Sequence, residues 1–207
     1  EIIDSAVENG HGVALVYALD HLDLEDKDFK GLDKSLALKY IEETGHVFEI
    51  LKNKEVFPDL TQQEIIECAE KHGQGRDLVY DLDLLDLEDK DFKGLDKSLA
   101  LEYIEEIGDV FKILKNKKAF PDLTQQEIIE CAEKHGHGLE LVRSLHYLDL
   151  EDNDFKGFDK SLALEFIKER GYVSQILKYK EVFPDLTQQE IIDSAVENGH
   201  GVALVYA

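Results

Sequence analysis

Apolar residues recur at helical spacing along the chain, in short runs that end at glycine or proline. The clearest run begins at Thr61, an N-cap residue with Glu64 three positions later to complete a capping box, and ends at a left-handed Gly73. Its apolar face consists of Ile65, Ile66, Cys68 and Ala69. Sustained alternation of period two is absent, so the pattern predicts helices and no strands.

Three further runs complete a set of four predicted helices. The second helix has an apolar face of Leu78, Val79, Leu82 and Leu85. The third begins near Asp33 or Ser35 and ends at Gly45. Its expected core residues are Leu36, Ala37, Tyr40 and Ile41. The short fourth helix precedes a turn at Phe57-Pro58, because proline disfavours helix at the residue before it. Its apolar face consists of Val47, Ile50 and Leu51.

This pattern repeats every 63 residues. The segment 57–66 recurs unchanged at 120–129 and 183–192, and residues 1–18 are identical to 190–207. We therefore predict a single repeat array over 1–207. Its units are about 1–59 (partial), 60–122, 123–185 and 186–207 (partial). Because the chain begins and ends at the same phase of the repeat, we interpret it as a slice of a longer array or one turn of a periodic assembly.

The two halves of each unit resemble each other. Aligning Gly45 with Gly73 superposes the apolar positions of the third helix on those of the first. The basic motif is therefore a helical hairpin, with the acidic connector inserted in alternate copies. Stacked hairpins that bury a continuous core between neighbours form an α-solenoid. We predict an all-α fold, an α-solenoid of tandem helical hairpins with a 63-residue repeat of four helices.

A family resemblance is carried by the pattern Leu60-Thr61-x-x-x-Ile65-Ile66-x-Cys68-Ala69-x-x-x-Gly73-x-x-x-x-Leu78. This frame, which also fits 123–141, resembles the repeat of transcription activator-like effectors and their distant bacterial relatives. The resemblance implies a right-handed superhelix. In that family the two residues before the glycine face DNA bases. The matching pairs in this chain are Lys71-His72, Lys134-His135, Glu197-Asn198, Glu43-Thr44, Glu106-Ile107 and Glu169-Arg170. Several of them carry a glutamate where the nucleic-acid backbone would approach.

The charge balance changes the choice of partner. Lys and Arg total 23 against 46 Asp and Glu, a formal charge of -23. Such acidity argues against a general nucleic-acid binder and against adhesion to an anionic membrane. The expected partner is a second copy bound head to tail, or another protein or peptide. A positive charge on that protein or peptide would favour binding to this acidic chain. We expect neither nucleic acid nor a membrane to be a partner.

Cysteines and histidines are the candidate ligands and nucleophiles. Cys68 and Cys131 occupy the same helix position one unit apart, too far for a disulfide, so free buried thiols and a cytoplasmic or other reducing compartment are expected. Five residues at hairpin turns form a candidate inter-hairpin ridge, where we expect caps and turns: His72, His135, His137, Asn198 and His200. An acidic stretch, 26–31, opens like an EF-hand but has Lys30 and Ala37 at ligand positions five and twelve. We expect no metal site and no cofactor.

Near-identical repeats argue against catalysis, because an active site needs one unique convergent set of groups. We expect no enzyme and no catalytic residues. The leading hypothesis is a non-enzymatic repeat scaffold that forms a superhelical or filamentous structure for protein interaction or self-assembly. The alternatives are a modular nucleic-acid-binding repeat protein of the activator-like type and an engineered or consensus array. The candidate end-to-end assembly residues are Ile2, Ile3, Ala6, Val202, Leu204 and Val205.

Overall fold

The computed structural model describes residues 12–19, 31–151, 155 and 157–205. In this part of the chain the regular structure is helical and no strand is present, which confirms the predicted all-α class. The α-helices are α1 (Gly12–Val16), α2 (Lys34–Thr44), α3 (Val47–Lys52), α4 (Gln62–Lys71), α5 (Gly75–Tyr80), α6 (Lys97–Ile107), α7 (Val110–Lys115), α8 (Gln125–Lys134), α9 (Gly138–Arg143), α10 (Lys160–Arg170), α11 (Val173–Lys178) and α12 (Gln188–Glu197). Short 3-10 helices cover Lys54–Val56, Leu82–Leu84, Lys117–Ala119, Leu145–Tyr147, Lys180–Val182 and Gly201–Val205. None of these helices has the length and apolar character needed to cross a membrane.

The chain divides into two compact units. Unit 1 comprises Glu1–Leu99 with Lys118–Pro121, and unit 2 comprises Ala100–Lys117 with Asp122–Ala207. The boundary falls inside helix α6.

The long helices begin at the caps that the sequence predicts. Thr61 accepts a hydrogen bond from the Glu64 backbone N–H at 3.2 Å, and the Glu64 carboxylate accepts one from the Thr61 N–H at 2.9 Å. The same capping box starts α8 at Thr124 and α12 at Thr187. Helix α2 is capped by Asp33. These reciprocal bonds satisfy backbone donors that a helix N-terminus otherwise leaves unpaired.

Helix ends follow the glycines. Gly45 ends α2 with φ 73°, in the left-handed region, and its N–H donates to Ile41 O at 2.8 Å. Gly171 does the same for α10 with φ 68°. Because only glycine adopts this conformation at little cost, these positions stop the helix and turn the chain into the short helix that follows.

The second helix of the pattern is shorter than predicted. Helix α5 ends at Tyr80, and Leu82 lies in the 3-10 helix Leu82–Leu84. The Asp81 N–H donates to both Asp77 O and Leu78 O, so the last turn tightens toward three-residue bonds. The predicted apolar face is nevertheless buried throughout: Leu78, Val79, Leu82 and Leu85.

Two predicted core residues, Leu36 and Cys68, are half-buried rather than buried. Both line an open groove between α2 and α4, which leaves one side of each side chain accessible. The remaining expected core positions of α2, Ala37, Tyr40 and Ile41, are fully buried.

A buried glutamine, which the sequence analysis did not single out, holds each described connector. The Gln62 amide donates to Asp86 O at 3.1 Å and accepts from the Asp86 N–H at 2.7 Å. Gln125 makes the same pair of bonds to Asp149, at 3.0 and 2.7 Å. Two hydrogen bonds in parallel fix the backbone of the connector against the first turn of the preceding hairpin, so the amide is satisfied although it is buried.

Tyr40 provides a stability prediction. Its side chain is fully buried, its hydroxyl has no hydrogen-bond partner among the described residues, and burial raises the pKa of its phenol to about 12. Tyr40→Phe should therefore raise the free energy of unfolding by about 1 kcal/mol, because it removes an unsatisfied buried group. Urea denaturation of the two proteins measures the difference.

The reciprocal control is Phe166→Tyr. Phe166 is the buried residue 126 positions after Tyr40, two repeats along the chain. The added hydroxyl should destabilise the protein by about 1–3 kcal/mol. If Tyr40→Phe is the destabilising change instead, the Tyr40 hydroxyl is bonded in solution.

Candidate functional site

Three residues of the candidate ridge lie at helix C-caps. His72 ends α4, His135 ends α8 and Asn198 ends α12. The backbone N–H of each donates to a carbonyl of the preceding turn, as at His72, whose N–H donates to Cys68 O at 3.2 Å. In unit 2 the His135 Nδ1 lies 3.6 Å from a carboxylate oxygen of Glu105.

The other two ridge residues join successive hairpins. His137 Nε2 lies 3.4 Å from Glu105 O and His200 Nε2 lies 3.3 Å from Lys168 O. Because a carbonyl oxygen only accepts, Nε2 is the donor in both bonds. Each imidazole therefore satisfies a carbonyl in the last turn of a long helix, α6 or α10, which the helix itself leaves unpaired.

Both rings also pack on the left-handed glycine of the preceding hairpin. A β-carbon on Gly108 would lie 2.5 Å from His137 Nδ1, and one on Gly171 would lie 2.7 Å from His200 Nδ1. In unit 1 the corresponding side chain is Gln74, which would be 2.7 Å from a β-carbon on Gly45. The residue between the two glycines of each Gly-x-Gly sequence therefore contacts the preceding hairpin. Either an imidazole or an amide side chain can make this contact.

This equivalence gives a matched pair of variants at His137. His137→Ala removes the bond to Glu105 O and the cover over Gly108, so it should lower the free energy of unfolding by about 1 kcal/mol. His137→Gln should be nearly neutral, because Gln74 occupies the same place in unit 1. Thermal unfolding of both variants measures the two effects. Equal losses would show that the bond depends on the imidazole itself.

A groove of about 790 Å³ lies between α2 and α4 in unit 1. Its apolar surface is provided by Leu36, Leu38 and Cys68. Its rim carries four glutamates and three basic side chains: Glu42, Glu43, Glu64, Glu67, Lys39, Lys71 and His72. The groove combines an apolar floor with a mainly acidic rim.

The Cys68 thiol, which lines the groove, is not activated as a nucleophile or metal ligand. Cys68 Sγ donates to Leu38 O at 3.6 Å, and burial followed by the Glu42 charge raises the pKa of the thiol. Cys131 in unit 2 has the same contact, to Leu101 O at 3.5 Å, and burial raises the pKa of its thiol too. A protonated thiol is neither a nucleophile nor a metal ligand. Both cysteines are free, as predicted, and half-buried rather than buried.

The glutamate of the capping box makes two kinds of contact at the starts of α4 and α12. Glu190 completes the capping box with Thr187 and also accepts from Lys160 Nζ at 2.6 Å. The Lys160 bond, followed by the Thr187 bonds, lowers the pKa of Glu190 to about 2. In unit 1 Glu64 bonds Thr61 and Lys34 in the same way, and its carboxyl pKa is also lowered.

Acid titration tests this arrangement. Because the folded pKa of Glu190 lies below the ordinary value of 4.5, its stabilising contribution is complete above that value and is lost as the pH falls toward about 2. Glu190→Gln should melt at a lower temperature than the parent at pH 7, and the difference should shrink between pH 4.5 and 2. Glu181→Gln is the control, since Glu181 is an exposed carboxylate with the same charge. A difference that does not change over this pH range would contradict the assignment.

A second hollow, of about 540 Å³, lies in unit 2 at the turn between α6 and α7. Exposed Ile107 and Phe111 form its apolar side, and Glu140 and Arg143 of α9 face them. The Phe111 ring also packs edge-on against Tyr147, with centroids 5.2 Å apart. Arg143 Nη1 lies 3.4 Å from Glu140 Oε2 across the hollow, and Asp109, which caps α7, adds a second carboxylate to its lining.

In the described ranges, no group of three His, Cys, Asp or Glu side chains is placed to hold a metal ion. The candidate end-to-end residues are only partly within those ranges. Ile2, Ile3 and Ala6 lie outside the described residues, as does the side chain of Val205. Val202 is 72% exposed and Leu204 is half-buried.

The chain matches no protein-family model, no curated protein and no solved structure. The resemblance to activator-like repeats therefore rests on the helix-cap and core pattern alone and stays a prediction.

Proposed function

We propose that the chain is a non-enzymatic repeat scaffold, a right-handed α-solenoid of tandem helical hairpins in 63-residue units of four helices, that binds a cationic protein or peptide on its acidic surface. The solenoid arrangement is supported by contacts that recur about thirty residues along the chain. In unit 1, α2 packs on α4, and Lys34 reaches Glu64. In unit 2, α10 packs on α12, and Lys160 reaches Glu190.

The excess of carboxylates favours a positively charged partner. The chain has 46 Asp and Glu against 23 Lys and Arg, so its carboxylates outnumber its cationic side chains by 23. The effect is local as well as global. Partial burial, followed by the charges of Asp159 and Glu130, raises the pKa of Glu133 in unit 2. A positively charged partner would neutralise such groups and gain both affinity and association rate.

The groove between α2 and α4 is the place where we expect such a partner to bind. Its floor would bury apolar side chains of a peptide, and Glu42 would meet a cationic one. The other three rim glutamates, Glu43, Glu64 and Glu67, already form ion pairs with lysines of this chain. Glu42 is the best test residue: it lines the groove, is exposed, and has its charge close enough to raise the pKa of the Cys68 thiol.

A labelled peptide that alternates lysine with leucine tests the proposal by fluorescence anisotropy. Glu42→Lys should weaken its binding about threefold to tenfold, because a favourable charge contact becomes a repulsive one. Glu55→Lys changes the net charge equally on an exposed 3-10 turn outside the groove. At physiological salt, where charges are screened beyond about 8 Å, this control should lose less than about twofold.

Equal losses in both variants would show a non-specific charge effect and overturn the groove as the binding site.

The alternative of a modular nucleic-acid reader is tested with the same protein, by an electrophoretic shift with mixed DNA and RNA at low salt. A shift at micromolar protein that the lysine-leucine peptide does not compete away would favour that reader over a protein scaffold.

A further inference from the structure

The groove between α2 and α4 in unit 1 carries one acidic and one basic side chain that form no ion pair with any described residue. Three of its four glutamates bond lysines, and its Lys39 is one of those lysines. Glu42 on α2 and Lys71 on α4 are left. Both side chains are exposed, and each lies in the last turn of its helix. We call Glu42 and Lys71 the wall pair.

The wall pair lies on the two sides of the groove floor. Burial, followed by the Glu42 charge, raises the pKa of the Cys68 thiol, and the Lys71 charge acts on it in the opposite direction. The thiol lines the floor, so the floor is within the field of both charges. A segment bound on the floor would therefore meet one charge of each sign.

At the other end of the groove, opposite charges already bond each other. Lys34 in the first turn of α2 reaches Glu64 in the first turn of α4. These two charges neutralise each other within the chain. The wall pair, at the C-terminal ends of the same two helices, is open to the charges of a ligand.

The next copy of the hairpin pair has the same two charges, and both lie in unit 2. Glu105 and Lys134 follow the wall pair by 63 residues. Burial, followed by the Glu105 charge, raises the pKa of the Cys131 thiol, and the Lys134 charge again acts in the opposite direction. The arrangement of one charge of each sign around a central thiol is therefore repeated.

The third copy exchanges the two signs. Lys168 stands in the place of Glu42 and Glu197 in the place of Lys71, 126 residues further along the chain. Both side chains are exposed, and the helices that carry them, α10 and α12, pack on each other as α2 and α4 do. Both positions have changed sign, yet one charge of each sign is kept. This exchange indicates that the two positions act together.

We propose that the groove between α2 and α4 binds a segment of a protein partner whose apolar side chains are flanked by one cationic and one anionic side chain, with the cation at Glu42 and the carboxylate at Lys71. The inference rests on the proposed function and narrows the partner. The acidic surface attracts positive charge over a distance, whereas the groove selects a segment that carries both signs. Its volume of about 790 Å³ is that of an ordinary ligand site.

Cys68 provides a measurement that is specific to this groove. The chain has two cysteines, so Cys68 is the only thiol of a Cys131→Ser chain. Serine already occupies the corresponding position of the third copy, Ser194. A bound segment covers the thiol, and the peptide concentration that halves its alkylation by iodoacetamide therefore reports binding in this groove. Iodoacetamide is uncharged, so the wall pair does not attract or repel it.

The probe is a peptide in which leucine alternates with lysine and glutamate in turn, so that it has no net charge. It should protect Cys68 of the Cys131→Ser chain. Glu42→Lys and Lys71→Glu should each raise the half-protection concentration about threefold to tenfold, because one favourable contact becomes repulsive. The double variant exchanges the signs as the third copy does and keeps the net charge. It should return to within about twofold of the parent.

The lysine-leucine peptide should respond differently to one of these changes. Lys71→Glu gives the groove a second unpaired carboxylate, so this peptide should bind more tightly while the neutral peptide binds more weakly. Far-ultraviolet circular dichroism checks the fold of all four chains, and thermal unfolding shows whether the wall pair merely holds α2 against α4. In that case the variants would shift the melting temperature and leave the half-protection concentrations unchanged.

Unchanged half-protection by the neutral peptide in all four chains would overturn the proposal, and so would a double variant as weak as the single ones. Either result would leave the proposed function standing if the lysine-leucine peptide still depends on Glu42. If neither peptide protects Cys68, the groove is not the binding site and the proposed function fails together with this inference.

Discussion

Neighbouring hairpins pack so closely that the glycines at the centres of their contacts leave no space for a β-carbon. A β-carbon would overlap Gln74 at Gly45, Leu99 at Gly75 and Pro121 at Gly94, all within 3 Å. At such distances a side chain in place of any of these glycines would have to displace the neighbouring side chain that packs on it. The larger apolar residues then fill the space that this approach defines.

Charged residues at the helix ends also join neighbouring hairpins. Glu190 caps its own helix through Thr187 and bonds Lys160 of the hairpin before it, so one carboxylate stabilises both the local turn and the long-range contact. Loss of the long-range partner would still leave the cap, and loss of the cap would misplace the carboxylate. Helix formation and hairpin stacking are therefore coupled at this residue, which is expected where short helices depend on tertiary packing for stability.

Local signals explain what could be predicted from the sequence. The capping box at Thr61, the left-handed stop at Gly45 and the buried face of α5 were predictable, because each depends on residues a few positions apart. The bonds of Gln62 to Asp86 and of His137 to Glu105 were not, because polar residues give no sign of which distant backbone they will meet. The groove between α2 and α4 was missed for the same reason: the periodicity places Leu36 and Cys68 on the inner face, and only the packing shows that one side of each remains open.

The identical pentapeptides at Gly12–Val16 and Gly201–Val205 show where local signals stop being sufficient. Five residues are too few for a stable helix, so the choice between α and 3-10 bonding is decided by what packs against them. At α1 the supporting surface is α2, whose buried Tyr40 and Ile41 belong to the core. In a repeat chain each hairpin provides such a surface for its neighbour, so identical segments differ in local structure where their packing differs.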